Sequence, residues 1–329
     1  MKNVSYNCVD LIKYLMVVLV IANHTDPFAN ISSVGSFLTV YVFTRVAVPY
    51  FYVISGYFLF RKMQEDNIDF AKIKKYLLRI FKIYAVWYLI YLPWKLLPTL
   101  QNNLTPVLMT EVTDFLRGNF YHLYFLHVLI ISILLVALLL YMKIGVNKIL
   151  VIAALFYVFG LFYSSYNGLF EIIFPSGTAF NETFYSVMNC YPYLANAFIY
   201  VALGAGIAFR GWHIENKYII IGLVLSWSLV ICEGYFTKYV VNWLVYAECY
   251  VMLPAAVFLT ALLSFKIPLP DKPLWICLRK MIMYMYLVHL FLLWSLFEMG
   301  VIADAKGLKT FIVTLLGSTV ISYLLVRKY

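Results

Sequence analysis

Apolar residues run through this chain in long blocks, and polar residues collect between the blocks. A helix of about 20 mostly apolar residues crosses a bilayer core. Ten stretches reach that scale: residues 10–28, 37–60, 76–98, 122–141, 148–166, 190–209, 218–235, 242–265, 281–300 and 309–326. The pattern predicts an all-α, polytopic integral membrane bundle of about ten transmembrane helices. No soluble domain, repeat or low-complexity tract interrupts it. Residues 61–82, "RKMQEDNIDFAKIKKYLLRIFK", are basic and amphipathic, which places them along the inner membrane surface before the chain enters the bilayer. Residues 99–121 and 166–189 form the longer outer connections, with enough chain to roof a site that opens outward.

Composition excludes the soluble alternative. Of 329 residues, 64% are hydrophobic and 12% charged, about half the charged share of a soluble protein. That leaves too little polar surface to cover a soluble body of this size. The formal charge of +10 follows from basic loops rather than from nucleic-acid binding. With the N-terminus inside, nineteen Lys and Arg residues fall in inner segments. Five fall in outer ones (Lys95, Arg117, Lys238, Lys306 and Lys309), and Arg45 lies within a span. This bias puts both termini in the cytoplasm of a multi-pass inner or plasma membrane protein. The start, "MKNVSYNCVD", runs into the first apolar block without a small-residue cleavage site, so it reads as a retained helix. Cysteines at 8, 190, 232, 249 and 277 show neither metal spacing nor a dense disulfide pattern, and no metal site is expected.

Ionisable groups inside spans carry the candidate chemistry. In "DLIKYLMVVLVIANHTDP" (10–27), Lys13 and His24 stand eleven positions apart. That is about three helical turns, so they share a face with roughly 16 Å between them. Asp10 is one turn before Lys13, within pairing reach. Lys13 alone reads as a snorkelling anchor, and His24 alone as an interfacial polar residue. Asp26 precedes Pro27, where the helix should end, and is a weak candidate to orient the imidazole. Arg45 is about 12 Å into the second span. It cannot shed its charge, so it needs a cavity or a partner. Pro49, Ser55 and Gly56 in the same span suggest a bent helix with close backbone contacts. Glu248 lies in the eighth predicted span, His122 and His127 in "YHLYFLHVLI", and His289 in "YMYLVHLFLL". A lone intramembrane histidine is commonly a packed hydrogen-bonder, but together these groups point to a polar cavity. Arg79 and Lys82 open the third span. They read as an anchor for anionic lipid or as the mouth for a polyanionic cytoplasmic ligand.

These residues resemble the membrane acyltransferase 3 family. Asp10-x-x-Lys13 followed by ten residues and His24 resembles its first-helix pattern of Arg, ten residues, His. Lys13 keeps the charge but not the bidentate fork. "RVAVPYFYVISGYFLF" (45–60) resembles the second-helix signature, with Arg45, Pro49, Ser55 and Tyr57 in place. "FYHLYFL" (120–126) resembles its His-Leu-Trp-Phe motif, with His122 aligned and Tyr124 in the Trp position. "YMYLVHL" (284–290) resembles its Tyr-x-x-Tyr-Leu-x-His motif, ending at His289. The resemblance covers nearly the whole chain and implies one such domain over 1–329. It implies an O-acyltransferase that moves acetyl from cytoplasmic acetyl-CoA to a hydroxyl of a cell-surface polysaccharide or its lipid-linked precursor. Acetyl-CoA is then the donor substrate, and no tightly bound cofactor is expected. The implied roles are His24 as general base, Arg45 as oxyanion stabiliser and Glu248 as a relay group. Lys13, Asp10, Arg79 and Lys82 would surround the donor, and Ser55, Tyr57, His122, Tyr124 and His289 would line the substrates. The expected partners are the lipid bilayer, a carbohydrate acceptor and a second copy of the chain as a homo-oligomer. Membrane domains of this family that precede serine racemases imply an alternative, a transporter for a serine-like small molecule. The chain shows no inverted repeat and no matched pair of Gly/Pro-broken spans, which counts against transport.

Overall fold

The computed structural model describes residues 6–96, 104–190 and 193–327. Lys2 and Lys328, two of the inner cations, lie outside them. The chain forms helices α1 (Asn7–Thr25), α2 (Ser33–Ser36), α3 (Ala47–Phe60), α4 (Phe70–Leu96), α5 (Leu104–Arg117), α6 (Tyr124–Tyr141) and α7 (Val146–Tyr163). It continues through α8 (Asn167–Ile173), α9 (Ala179–Cys190), α10 (Leu194–Arg210), α11 (Asn216–Tyr235), α12 (Leu253–Lys266), α13 (Pro273–Glu298) and α14 (Leu308–Arg327). No β-strand occurs among the described residues. A π-helical turn (Phe37–Val42) and a 3-10 turn (Phe43–Val46) join α2 to α3, and a second π-helical turn (Phe236–Val240) extends α11.

Eight helical runs are long and apolar enough to cross a membrane, or nine if Ala179–Asn189 and Leu194–Arg210 make one bent span. Large apolar side chains such as Leu78, Leu89, Leu155 and Leu225 are exposed on them. In water such surface is costly, whereas hydrocarbon accepts it. The protein is an all-α polytopic membrane protein. All ten predicted segments contain an apolar helix, but the eighth is cut short. Only α12, 14 residues long and about 21 Å at helical rise, forms within 242–265. Residues 241–252 are irregular, starting with Asn242 at φ +53°. Their backbone groups find protein partners instead of helix partners. Gly168 N–H donates to the Trp243 carbonyl (3.0 Å), Val245 N–H to the Ser164 carbonyl (3.3 Å), and the Ser164 hydroxyl to the Tyr246 carbonyl (2.6 Å). Irregular backbone survives at membrane depth only when it is satisfied in this way. The segment 61–82 also divides. Residues 61–69 are mostly turns, and Asp69 then starts α4 by accepting from Lys72 N–H (3.0 Å).

The helices group into two compact units, each built from separated stretches of sequence. The first comprises Met1–Phe51, His213–Asn242 and Ala247–Tyr329. Within it α1 packs on α12, α13 and α14, and α13 on α14. Thr310, Thr314, Ser318 and Ser322 form a buried stripe at four-residue spacing on α14, which lets helices approach closely. The end of α1 is closed by Asp26, whose left-handed backbone returns its N–H to the Ala22 carbonyl (2.8 Å). Gly307 N–H donates to the Thr25 carbonyl there (2.7 Å).

The second unit comprises Tyr52–Trp212 and Trp243–Tyr246. Within it α10 packs on α6 and α7, and α4 on α6. Its tightest crossing is made by glycine. A Cβ on Gly56 would lie 2.6 Å from the Val201 carbonyl oxygen, and one on Gly204 would lie 2.2 Å from the Val53 carbonyl oxygen. Two backbones therefore touch where a side chain has no room.

Candidate active site

The first unit gathers six of the sequence-predicted site residues at two places along α1. Near its C-terminal end stand Asn23 and His24. The π-helical turn 37–42 breaks the ordinary hydrogen-bond ladder, and the following 3-10 turn carries Thr44 and Arg45. The Val40 carbonyl, within the π turn, accepts from Arg45 Nε (2.7 Å), from Arg45 Nη2 and from Thr44 Oγ1 (3.0 Å). Arg45 Nη2 also donates to Asn23 Oδ1, which accepts from Thr44 Oγ1 as well (3.2 Å). Arg45 Nη1 donates to Glu248 Oε1 at 3.2 Å. The guanidinium is thus held by one carboxylate and two neutral oxygens, and its side chain is 11% exposed. Burial at that level demands such partners, because the charge is permanent.

Glu248 reaches this position from the irregular 241–252 stretch, not from a helix. It differs in that respect from its expected place inside an eighth span. A neighbouring carboxylate secures the stretch: Glu233 accepts from Val251 N–H through both oxygens (2.8 and 3.0 Å). The Tyr250 hydroxyl donates to the Tyr41 carbonyl (2.8 Å). Such π turns recur where helices serve a site.

His24 is half-buried, and its ring centroid lies 5.3 Å from that of His289 on α13. His289 is fully buried. Its Nδ1 is 2.7 Å from the Tyr286 carbonyl. A carbonyl only accepts, so Nδ1 carries a proton. The Asp26 carboxylate accepts from Ser36 Oγ (2.6 Å). It serves the α1–α2 turn, contrary to its weak candidacy as a partner of the imidazole.

At the other end of α1, Asp10 is 2% exposed. Arg279 of α13 donates to its Oδ2 from Nε (2.9 Å) and Nη2 (2.6 Å), and Lys13 Nζ lies 3.8 Å from Oδ1. Asn7 Nδ2 fastens the same end to the loop before α13 through Asp271 Oδ1 (2.8 Å). One carboxylate therefore holds two cations and leaves a net positive charge.

The second unit carries the remaining predicted residues. Ser55 lies near the Tyr76 hydroxyl, and the Arg61 guanidinium lies over the Tyr57 ring (5.5 Å). His122 is buried and meets the Tyr91 ring at 5.2 Å, whereas Tyr124 stacks on Tyr193 at 3.8 Å. Arg79 and Lys82 are exposed on α4. Lys95, read from sequence only as an outer cation, pairs with Glu111 (2.9 Å) and Asp114 (2.8 Å).

Sequence reasoning did not identify Asn23, Val40 or Arg279 as participants. Asn23 has a local signal, since it adjoins His24. The Arg279–Asp10 pair spans 269 positions and has none.

A family model described as an acyltransferase domain matches residues 6–327. An amino-acid racemase of Enterococcus faecalis is 29% identical over 185 residues, covering 56% of this chain and 25% of that protein. A serine/alanine racemase of Enterococcus gallinarum is 28% identical over 165 residues, covering 50% of this chain and 24% of that protein. The similarity thus extends over about a quarter of each relative's length. No solved structure matches the chain.

Proposed function

The chain belongs to that acyltransferase family, and from this premise we propose that it is an O-acyltransferase of the cell membrane with His24 and Arg45 at its reacting centre. The observation that carries this reading is the fixed guanidinium. Arg45 is pinned by Val40, Asn23 and Glu248, and Asn23 is the chain neighbour of His24. An acyl transfer needs a base for the acceptor hydroxyl and a donor aimed at the developing oxyanion. His24 takes the hydroxyl proton as the acceptor oxygen attacks the thioester carbonyl. The new C–O bond leaves charge on the carbonyl oxygen, beside the guanidinium. Collapse breaks the C–S bond, and the proton passes from His24 to the leaving thiolate. Asn23 and Glu248 act through Arg45 as positioning residues. Neutral oxygens from Val40 and Asn23 orient the cation without cancelling its charge.

Acetyl from cytoplasmic acetyl-CoA is the proposed acyl group, and a hydroxyl of a cell-surface polysaccharide or its lipid-linked precursor the proposed acceptor. Lys13 and Arg279, both held by Asp10, supply positive charge for the donor's phosphates. About 16 Å of helix separates Lys13 from His24, a distance suited to a long donor arm with phosphates at one end and a thioester at the other. A second reading is carriage of a serine-like molecule across the membrane; it takes only the class of molecule from the name of one relative, a serine/alanine racemase. Purified chain in nanodiscs, given acetyl-CoA and cell-envelope extract, distinguishes the two. CoA release supports transfer. Uptake of labelled serine into proteoliposomes, without CoA release, overturns it.

A further inference from the structure

An apolar groove of about 300 Å³ lies between α4 and α6 in the second unit. Phe70, Lys74, Leu78 and Phe81 line it from α4, and Ile130 and Leu134 from α6. The Phe70 ring meets the Tyr141 ring edge-on at 5.4 Å, and the Tyr84 ring lies 5.8 Å from that of His127, so α6 runs antiparallel beside α4. From Lys74 to Phe81 the helix rises about 10 Å. An extended hydrocarbon advances roughly 1.2 Å per bond, as a peptide backbone does, so this length of the groove takes about nine carbons of a chain.

Two observations say which face this is. Ile73 and Leu77, which belong to the buried stripe of α4, form the floor of the groove, whereas Leu78 and Phe81 at its rim are 47% and 46% exposed. The groove therefore opens toward the surface that a membrane-spanning helix presents to lipid. Lys74 is the single charged side chain in its lining. At 100° per residue, Lys75 and Lys82 flank the same side of α4 as Leu78. Lys72 is engaged by Asp69 at 2.9 Å, while Lys74, Lys75 and Lys82 form no ion pair among the described residues.

A hydrocarbon slot with an ammonium group one turn from its end, and Lys75 beside it, matches the chemistry of a phospholipid. We propose that this groove binds one anionic glycerophospholipid, with an acyl chain along Leu78, Phe81, Ile130 and Leu134 and its headgroup phosphate on Lys74. Excess positive charge then selects an anionic over a zwitterionic headgroup, at about fivefold in affinity for each lysine near the headgroup. The site is independent of the acyl-transfer reading.

Delipidated full-length chain in detergent, titrated with phosphatidylglycerol or phosphatidylcholine of matched acyl chains and read by native mass spectrometry, tests it. The wild type should retain one phosphatidylglycerol at a lipid concentration lower by about fivefold or more than that for phosphatidylcholine. Lys74→Gln should reduce that difference about fivefold, and Leu134→Trp should lower retention of both lipids by obstructing the slot. Lys74 and Leu134 are at the surface, and circular dichroism checks that each variant keeps its helices. Equal retention of the two lipids by the wild type, or an unchanged preference in Lys74→Gln, overturns the proposal. So does occupation by palmitoyl-CoA in preference to phosphatidylglycerol at equal concentration.

Discussion

Replacing Arg45 with lysine separates charge from geometry. Arginine offers three nitrogens to three acceptors: Nε and Nη2 to the Val40 carbonyl, Nη2 to Asn23, and Nη1 to Glu248 at 3.2 Å. A lysine ammonium keeps the positive charge, but one nitrogen cannot reproduce that fork. The substitution therefore gives up the fixed aim of the cation while leaving Asp10, Lys13 and Arg279 untouched. Losing one aimed oxyanion donor typically lowers kcat by about 10²–10³, or roughly 3–4 kcal/mol. Arg45→Lys should show a fall of that order in steady-state CoA release, with the KM for acetyl-CoA changed little. The stability effect should be small, because the Glu248 side chain is 32% exposed and keeps access to polar surroundings. Wild-type kcat in Arg45→Lys would refute the reasoning. A fall in kcat that merely follows a loss of folded protein, measured by thermal unfolding of the same sample, would refute it equally.

Three further outcomes follow from the same geometry. Gly204→Ala puts a Cβ 2.2 Å from the Val53 carbonyl, where ordinary contact begins at 3.4 Å, so the two backbones must part by the difference of 1.2 Å. A cost of about 1–3 kcal/mol is expected, read as a lower thermal midpoint in detergent; an unchanged midpoint contradicts the close crossing. Asp10→Asn removes the carboxylate that holds Arg279 and Lys13, and should raise the KM for acetyl-CoA while kcat stays near wild type. Equal donor KM values would sever this end of α1 from donor binding. Glu171 accepts from Tyr185 (2.7 Å), Asn181 (3.2 Å) and Ser176 (3.2 Å), which hold its carboxyl below the usual range, the tyrosine bond most of all. The folded-state pKa is depressed, so its stabilisation is complete above the unfolded value and fades as pH falls through the folded one. Amide protection in 167–190 should therefore weaken as pH drops below about 4, and Glu171→Gln should lack that step; the same step in the variant would assign it elsewhere.

Helix positions were legible in the sequence because a span must be both long and apolar, and few stretches satisfy both. The pairing of Asp10 with Lys13 was legible for a similar reason, since it lies within one helical turn. The eighth segment misled because hydropathy does not distinguish a helix from irregular backbone packed among apolar side chains. Residues 241–252 satisfy the composition of a span while Ser164 and Gly168 take up their backbone groups. The need of Arg45 for a partner was legible from its permanent charge. The identity of two partners, a carbonyl freed within a π turn and the amide of Asn23, depends on three-dimensional placement. Arg279 reads locally as one more basic residue at a helix start, and only the packing of α13 against α1 brings it to Asp10.

The most direct test of the central claim uses wild type and His24→Ala in nanodiscs with radiolabelled acetyl-CoA and cell-envelope extract as acceptor. The account predicts label transfer by the wild type and a loss of about 10²-fold or more in His24→Ala, with matching expression and thermal midpoints. Label transfer at the wild-type rate in His24→Ala would contradict it.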